Sequence, residues 1–198
     1  MRVLAIITTR WKSTRFPGKA LADLCGKPIT QHIVDRLRQV KSIDEVVVIP
    51  SVDSQPIVDY CKEHSIDCLE HHKDHDYLGQ IMLGALVYQP EYIVRVWGDC
   101  PVIDPVLVEE TLQVCIKHNT YSYCDHPRYA GFCVSAFPVS VLRKLLAGMT
   151  SVSKYEFNEI NEHTQFLKIT RINLSVDTPE DLERVKQYLC QKLEKLHK

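Results

Sequence analysis

The stretch that decides the fold reads Val3-Leu4-Ala5-Ile6-Ile7-Thr8, and it runs directly into Thr9-Arg10-Trp11-Lys12-Ser13-Thr14-Arg15-Phe16-Pro17-Gly18-Lys19. The first run is almost entirely apolar, as expected of a strand that is buried on both faces of a sheet. It is too short for the apolar region of a signal peptide or for a membrane span. We therefore interpret it as the first strand of an α/β domain.

Further apolar runs of strand length alternate along the chain with segments of helical periodicity. This alternation is typical of crossover units that build a mainly parallel central sheet with helices on both faces, a Rossmann-like arrangement. Helices are expected to begin at Asp104-Pro105 and at Thr178-Pro179, where a capping side chain precedes a proline. The predicted strands are residues 3–8, 45–49, 66–69, 92–97, 121–124, 132–137 and 168–176.

Composition and charge limit the classes of function. The 198 residues are expected to form a single domain, residues 1–198. Hydrophobic residues make up 45% and charged residues 25% of the chain, which is typical of a globular protein and not of a membrane protein. The net charge of -1 lacks the basic excess expected of a nucleic-acid-binding protein. Eight cysteines without a C-x-x-C pair, in a sequence with no export signal, favour reduced thiols and a cytoplasmic location.

The segment after the first strand carries four cations, Arg10, Lys12, Arg15 and Lys19, around a Pro17-Gly18 turn. Arginine binds phosphate oxygens with paired donors, lysine acts as a mobile point charge, and the backbone amides of such a loop add partial positive charge. The segment therefore predicts an anion cradle that fits a triphosphate. It matches neither the P-loop nor the dinucleotide-binding glycine pattern. The alternative is an exposed basic loop whose charges only contribute to solubility.

Two aspartates follow predicted strands. Asp99 comes after the strand 92–97, and Asp177 comes after the strand 168–176. Open α/β sheets bind ligands at the carboxyl edge, so both carboxylates are expected to converge there with the loop that begins after Thr8. Carboxylate oxygens suit Mg²⁺ on a triphosphate. The alternatives are local: Asp99 caps the following turn, and Asp177 supports the Thr178 cap.

Three motifs occur in one order along the chain. The first is Thr9-Arg10-x-x-Ser13-Thr14-Arg15-x-Pro17-Gly18-Lys19-x-Leu21 with Leu24-x-Gly26-Lys27-Pro28, the second spans Gly98 to Pro105, and the third spans Val176 to Glu183. Together they resemble the signature of the sugar cytidylyltransferases, closest to the spore-coat polysaccharide branch and more distantly to 3-deoxy-manno-octulosonate and acylneuraminate cytidylyltransferases. The resemblance implies a nucleotide-diphospho-sugar transferase-like fold. It also implies transfer of CMP from CTP to an acidic sugar or related small acceptor, with release of pyrophosphate, in polysaccharide or glycoconjugate biosynthesis.

The resemblance also implies roles for individual residues. Asp99 and Asp177 would bind Mg²⁺ and would act in catalysis together with Arg10 and Lys19. Arg128 is a candidate for binding an acidic substrate group, with an exposed loop arginine as the alternative. A homodimer is a further expectation, because relatives commonly pair. The implied nucleotide-binding residues are Thr8, Thr9, Arg10, Ser13, Thr14, Arg15, Gly18, Lys19, Ser51, Arg95 and Gly98.

The chain departs from the family pattern near the acceptor. Cys133 and Ser135 replace the acidic residues that the closest branch usually carries after the glycine at position 131, so an altered acceptor is expected. Trp97 stands where relatives carry a smaller or amide side chain, and it either fills the core or stacks on the ligand.

Two other functions stay open at this point. The first is a glycosyltransferase of the same fold, in which Asp74-x-Asp76 would hold the metal. The second is a catalytically silent nucleotide-binding module. We interpret residues 74–76 instead as a charged loop that caps a helix beginning near Tyr77.

Overall fold

The computed structural model describes residues 1–124, 133–142 and 174–196. The strands are β1 (Val3–Thr9), β2 (Asp23–Leu24), β3 (Lys27–Pro28), β4 (Glu45–Pro50), β5 (Asp67–Cys68), β6 (Tyr92–Trp97), β7 (Ser122–Cys124) and β8 (Val134–Pro138). The helices are α1 (Ile29–Leu37), α2 (Gln55–Glu63), α3 (Tyr77–Tyr88), α4 (Pro105–His118) and α5 (Pro179–Leu196), and a short 3-10 turn spans Lys19–Leu21. None of the helices in these ranges is both long enough and apolar enough to cross a membrane.

Six strands form one sheet in the order β5-β4-β1-β6-β8-β7. β5, β4, β1 and β6 run parallel to one another, whereas β8 runs antiparallel to both β6 and β7. The mainly parallel sheet is therefore confirmed, with an antiparallel extension beyond β6. β2 and β3 pair separately as a small antiparallel unit beside this sheet.

Helices cover both faces of the sheet. Ile7 of β1 belongs to a core cluster with residues of α1, α4 and α5, and Ile6 belongs to a second cluster with Ile81 of α3. Successive residues of a strand point to opposite faces, so both faces of β1 are packed against apolar side chains. All seven residues of β1 are buried, as its apolar run predicts.

The structure differs from the sequence-based prediction mainly near the C-terminal part of the chain. Residues 174–176 are not in a strand, contrary to the strand predicted at 168–176, whose earlier residues lie outside the described ranges. The Val176 amide donates to the Asp99 carbonyl oxygen at 2.8 Å instead of joining a strand ladder. The other predicted strands that lie in described ranges are present, with ends that differ from the prediction by at most two residues. Residues 139–142, directly after β8, are helical, and residues 143–173 lie outside the described ranges.

Both expected helix starts are confirmed. Asp104 caps α4, because its Oδ1 accepts a hydrogen bond from the Val106 amide at 2.9 Å. At the start of α5, Thr178 Oγ1 accepts from the Asp181 amide at 3.3 Å. In return, Asp181 Oδ2 accepts from the amides of Asp177 and Thr178 at 3.0 and 2.9 Å. This reciprocal capping box holds Asp177 directly at the helix start.

Gly84 lets α3 approach the sheet closely. A Cβ atom at this position would lie 2.7 Å from Ile6 Cδ1 and 3.1 Å from Ile49 Cδ1. Gly84→Leu should therefore overpack this layer and lower the free energy of unfolding by about 1–3 kcal/mol, measured by urea denaturation. Leu86 on the same helix is 73% exposed, so Leu86→Ala should change that free energy by less than about 0.5 kcal/mol. Equal losses in the two variants would contradict the close packing.

Candidate active site

Lys19 brings three distant parts of the chain together. Its Nζ lies 3.1 Å from Oδ1 of Asp177 and 3.5 Å from Oδ2 of Asp99, and it donates to the Val176 carbonyl oxygen at 2.9 Å. The lysine side chain is 12% exposed, and the two carboxylates are 28% and 31% exposed. An ammonium between two carboxylates reduces their mutual repulsion, an effect that is stronger where water is partly excluded. The loop and the two aspartates thus meet at one point of the sheet edge.

The loop that presents Lys19 has a defined backbone shape. The amides of Ser13 and Gly18 both donate to the Trp11 carbonyl oxygen at 3.0 Å. Gly18 has a φ of 73°, in the left-handed region, and a Cβ atom there would lie 3.0 Å from the Trp11 ring. A glycine is therefore needed where the chain turns into the 3-10 turn that begins at Lys19.

Two buried side chains that the sequence analysis did not identify support this loop. Ser54 Oγ accepts a hydrogen bond from the Trp11 amide at 3.1 Å, across 43 residues of sequence. Gln80 Nε2 donates to the carbonyl oxygens of Ile49 at 2.5 Å and Thr9 at 3.3 Å. Gln80 thereby joins the carboxyl ends of β1 and β4. No local sequence signal could have revealed either residue, because each partner is remote along the chain.

The arginines of the loop lie farther out than Lys19. Arg15 is 65% exposed, and its Nη2 lies 2.9 Å from Oδ1 of Asp177. Arg10 is directed to His75, with its Nη1 2.7 Å from the ring Nε2, and it forms no ion pair with Asp99 among the described residues. His75 is a neighbour of the loop that the sequence did not predict.

The remaining predicted residues apart from Arg95 differ in where they lie. Thr8, Thr9, Ser13 and Ser51 are buried at the ends of β1 and β4 or in the loop between them, whereas Thr14 is exposed. Gly98 packs on β1 so closely that a Cβ atom would lie 2.6 Å from Thr9 Cβ. Arg128 lies outside the described residues.

Asp76 is engaged in capping α3. Its Oδ1 accepts from the Gly79 amide at 2.8 Å, and its Oδ2 lies 3.1 Å from Nε2 of the buried His71. Although burial opposes the charged form, these two contacts hold the pKa of Asp76 below its usual range. In the described part of the chain, no three His, Cys, Asp or Glu side chains are grouped as metal ligands. The helix-cap interpretation of residues 74–76 is confirmed.

Arg95 of β6 is buried beside two aromatic rings. Its guanidinium carbon lies 3.4 Å from the centroid of the Trp97 ring and 5.5 Å from that of Tyr77. Its Nε and Nη2 have no hydrogen-bond partner within the described ranges. Burial lowers the pKa of Arg95 to about 10, so the side chain is still charged at neutral pH. Trp97 is half-buried, and its ring covers this cation.

A sequence profile described as cytidylyltransferase matches residues 4–128, which include Lys19 and Asp99. The chain belongs to the cytidylyltransferase family. It is 37% identical over 116 residues to a 3-deoxy-manno-octulosonate cytidylyltransferase of Geobacter sulfurreducens, a match that covers 57% of this chain and 44% of the relative. A relative of the same name from Polynucleobacter asymbioticus is 34% identical over 119 residues, covering 58% of this chain and 46% of that one. The chain thus spans about half the length of the curated relatives it matches.

Solved structures show the same fold over nearly the whole chain. A cytidylyltransferase from Leptospira borgpetersenii superposes with a TM-score of 0.80 at 23% identity, covering 96% of this chain and 87% of that one. A CMP:2-keto-3-deoxy-manno-octonic acid synthetase, solved in complex with CTP, superposes with a TM-score of 0.77 at 21% identity, covering 97% and 100%. The predicted fold class is confirmed.

The capping box at the start of α5 gives the stability of the fold a testable pH dependence. Burial opposes the charge of Asp181, but Arg184 and the amides of Asp177 and Thr178 hold its pKa below the usual 3.8. A carboxyl whose folded-state pKa is lowered stabilises the fold above its usual pKa. That contribution is lost as the pH falls through the lowered value.

Asp181→Ala should therefore lower the free energy of unfolding by about 1 kcal/mol at neutral pH. The difference from wild type should shrink below pH 3.8, the usual pKa of this carboxyl. Urea denaturation at a series of pH values measures both effects. Glu183→Ala, at an exposed position of the same helix, should change the free energy by less than about 0.5 kcal/mol. A pH-independent loss in Asp181→Ala would contradict the electrostatic origin.

Proposed function

We propose that this protein transfers CMP from CTP to a small acidic sugar or a related acceptor and releases pyrophosphate. The observation that carries the proposal is the contact of Lys19 with Asp99 and Asp177 in a chain of the cytidylyltransferase family. Relatives named for 3-deoxy-manno-octulosonate and a structure of the same fold solved with CTP supply the classes of acceptor and nucleotide.

The loop between Thr9 and Lys19 is assigned to the triphosphate. In the reaction, an acceptor oxygen forms a bond to the α-phosphorus while the bond from that phosphorus to the pyrophosphate oxygen breaks. Negative charge grows on the leaving pyrophosphate. Lys19, which contacts both carboxylates, and Arg15, which contacts Asp177, are the cations assigned to stabilise that charge.

Asp99 and Asp177 are assigned to hold Mg²⁺. Their oxygens are hard ligands, both side chains are partly exposed, and both contact one ammonium and so face a common space. Two carboxylates would leave the other coordination positions of the ion for phosphate oxygens and water, as is usual where Mg²⁺ binds together with a nucleotide. The ion would polarise the phosphoryl oxygens and neutralise part of their charge.

Selection of cytosine is assigned to the carboxyl ends of β1 and β4. Thr9 and Ser51 are buried there, and the Ser51 amide donates to the Thr9 carbonyl oxygen at 3.0 Å. Small polar side chains and backbone groups in a fixed arrangement can distinguish the hydrogen-bonding edge of one base from another. We also assign the protein to the cytoplasm, because no disulfide joins the cysteines that the structure describes.

The two alternative functions fit the site less well. A glycosyltransferase would use Asp76 as a metal ligand, but both oxygens of Asp76 contact Gly79 or His71. A silent nucleotide-binding module would have no need of Asp99 and Asp177 on either side of Lys19.

Substitution of the two aspartates tests the proposed catalytic role. Asp99→Asn and Asp177→Asn keep the side-chain volume but remove the charge that the metal requires. Each should reduce pyrophosphate release at least about 100-fold while the circular dichroism spectrum stays that of wild type. Asp59→Asn, at an exposed position of α2, should retain wild-type turnover. Near-normal turnover in both site variants would refute the metal assignment.

Nucleotide and metal requirements are tested with the wild-type protein. Pyrophosphate release should occur with CTP, Mg²⁺ and a member of a panel of acidic sugars that includes 3-deoxy-manno-octulosonate. EDTA should abolish it, and excess Mg²⁺ should restore it, because the carboxylates bind the ion reversibly. Release with ATP, GTP or UTP in place of CTP would overturn the assignment of the base.

A further inference from the structure

Arg95 is a buried charged side chain that the proposed mechanism leaves without a role. It lies in the middle of β6, opposite Ile6 of β1 and opposite Ser135 of β8. Only 7% of the residue is exposed. Asp99 attracts it from a distance, but no carboxylate in the described ranges forms an ion pair with it. A buried charge without an ionic partner destabilises the fold, so its presence calls for a functional explanation.

The two unpaired nitrogens of Arg95 indicate the chemistry of the missing partner. Trp97 and Tyr77 stabilise the cation through their ring faces, but a ring face accepts no hydrogen bonds in the plane of the guanidinium. The donors left over are Nε and Nη2. They lie on one edge of the guanidinium, the edge that binds a carboxylate through two parallel hydrogen bonds.

A second unpaired group lies on the same face of the sheet. Ile6 and Ile93 belong to the core cluster on the α3 side, so strand alternation places Thr8 and Arg95 on that side as well. Thr8 Oγ1 is buried and has no hydrogen-bond partner in the described part of the chain. Thr8 pairs with Trp97 across β1 and β6, immediately before the segment that carries Asp99. Both unpaired groups therefore lie next to the candidate active site.

The strand that faces Arg95 carries no acid to neutralise it. Ser135 is the cross-strand neighbour of Arg95 on β8 and is buried. In this chain, the neutralising carboxylate has to come from outside the strand.

We propose that Thr8, Tyr77, Arg95, Trp97 and Ser135 form an acid-binding pocket, in which Arg95 binds the carboxylate of the acceptor sugar and determines the specificity for acidic acceptors. A carboxylate would satisfy both free guanidinium donors, and it would accept a hydrogen bond from the Thr8 hydroxyl. The identity of the bound acid as an acceptor rests on the proposed function, whereas the binding of a carboxylate does not. Thr8 and Arg95 are thereby assigned to the acceptor and not to the nucleotide, to which the sequence analysis assigned them.

Binding measurements with matched ligands test the pocket. We would titrate wild type with 3-deoxy-manno-octulosonate, glucuronate and pyruvate, each against its neutral carboxamide, by isothermal titration calorimetry. At least one acid should bind about 30-fold more tightly than its carboxamide, since the carboxylate forms two charge-assisted hydrogen bonds. Arg95→Met should lose this preference. Arg38→Met, at an exposed position beyond α1, should keep it.

Ser135→Glu provides an independent variant that restores an acid opposite Arg95. The new carboxylate should pair with Arg95 and abolish the preference for acidic ligands. If no acid distinguishes wild type from Arg95→Met, the proposal is overturned. It is also overturned if Arg95→Met weakens CTP binding by more than about threefold while the preference for acids persists, because Arg95 would then serve the nucleotide.

Stability separates this role from a purely structural one. Without ligand, Arg95→Met should raise the thermal midpoint, because an unpaired buried charge is replaced by an apolar side chain of similar length. A lower midpoint together with an unchanged preference for acids would show that Arg95 only fills the core. If wild type releases no pyrophosphate but still prefers acids through Arg95, the proposed function fails and the pocket stands. If wild type releases pyrophosphate but shows no preference for acids through Arg95, the pocket alone is refuted.

Discussion

The position of one ammonium between two carboxylates is the interaction on which the rest of this site depends. Asp99 and Asp177 come from segments far apart in sequence, and without Lys19 their charges would repel each other at a partly desolvated edge. Backbone contacts reinforce the arrangement, because Lys19 Nζ and the Asp99 carbonyl oxygen each bond to Val176. The phosphate loop, the end of β6 and the start of α5 therefore form a single unit.

The topology of the sheet explains why these distant segments lie next to each other. β1 and β6 are adjacent and parallel, so the loops that follow them emerge side by side. Gly98 allows the second loop to contact the first, since any larger residue would clash with Thr9. The antiparallel β8 then places Val134 beside Val96, at the same end of the sheet. One edge thus receives groups from both the parallel and the antiparallel parts of the sheet.

Local patterns predicted the parts of this protein that are determined locally. The apolar run from Val3 revealed a strand buried on both faces, and a proline after Asp104 revealed a helix start. The supporting roles of Ser54 and Gln80 were not predictable, because both side chains form hydrogen bonds with backbone groups that are remote in sequence. Alternating periodicity also carries no information on strand direction, which is why antiparallel β8 was not anticipated.

The strand predicted at residues 168–176 shows a second limit of prediction from sequence patterns. Leu174 and Val176, the apolar residues of this segment that the structure describes, are buried as expected of a strand. The backbone, however, bonds to the turn after β6 through the Val176 amide, so burial is achieved without a ladder. A pattern of apolar residues predicts burial more securely than it predicts the hydrogen-bond partner of each backbone group.

The two buried cations of the site differ in what ligand binding requires of them. Lys19 already has two carboxylate partners, so a triphosphate and a metal ion must rearrange existing ion pairs. Arg95 has only aromatic faces and two unused donors, so an acidic ligand would add bonds without breaking an ion pair within the described chain. A preformed cation of this kind lowers the reorganisation needed on binding. The nucleotide half of the site therefore has to change its ion pairs on binding, whereas the proposed acid-binding pocket keeps its cation in place and has to open above the buried guanidinium nitrogens to admit an acid.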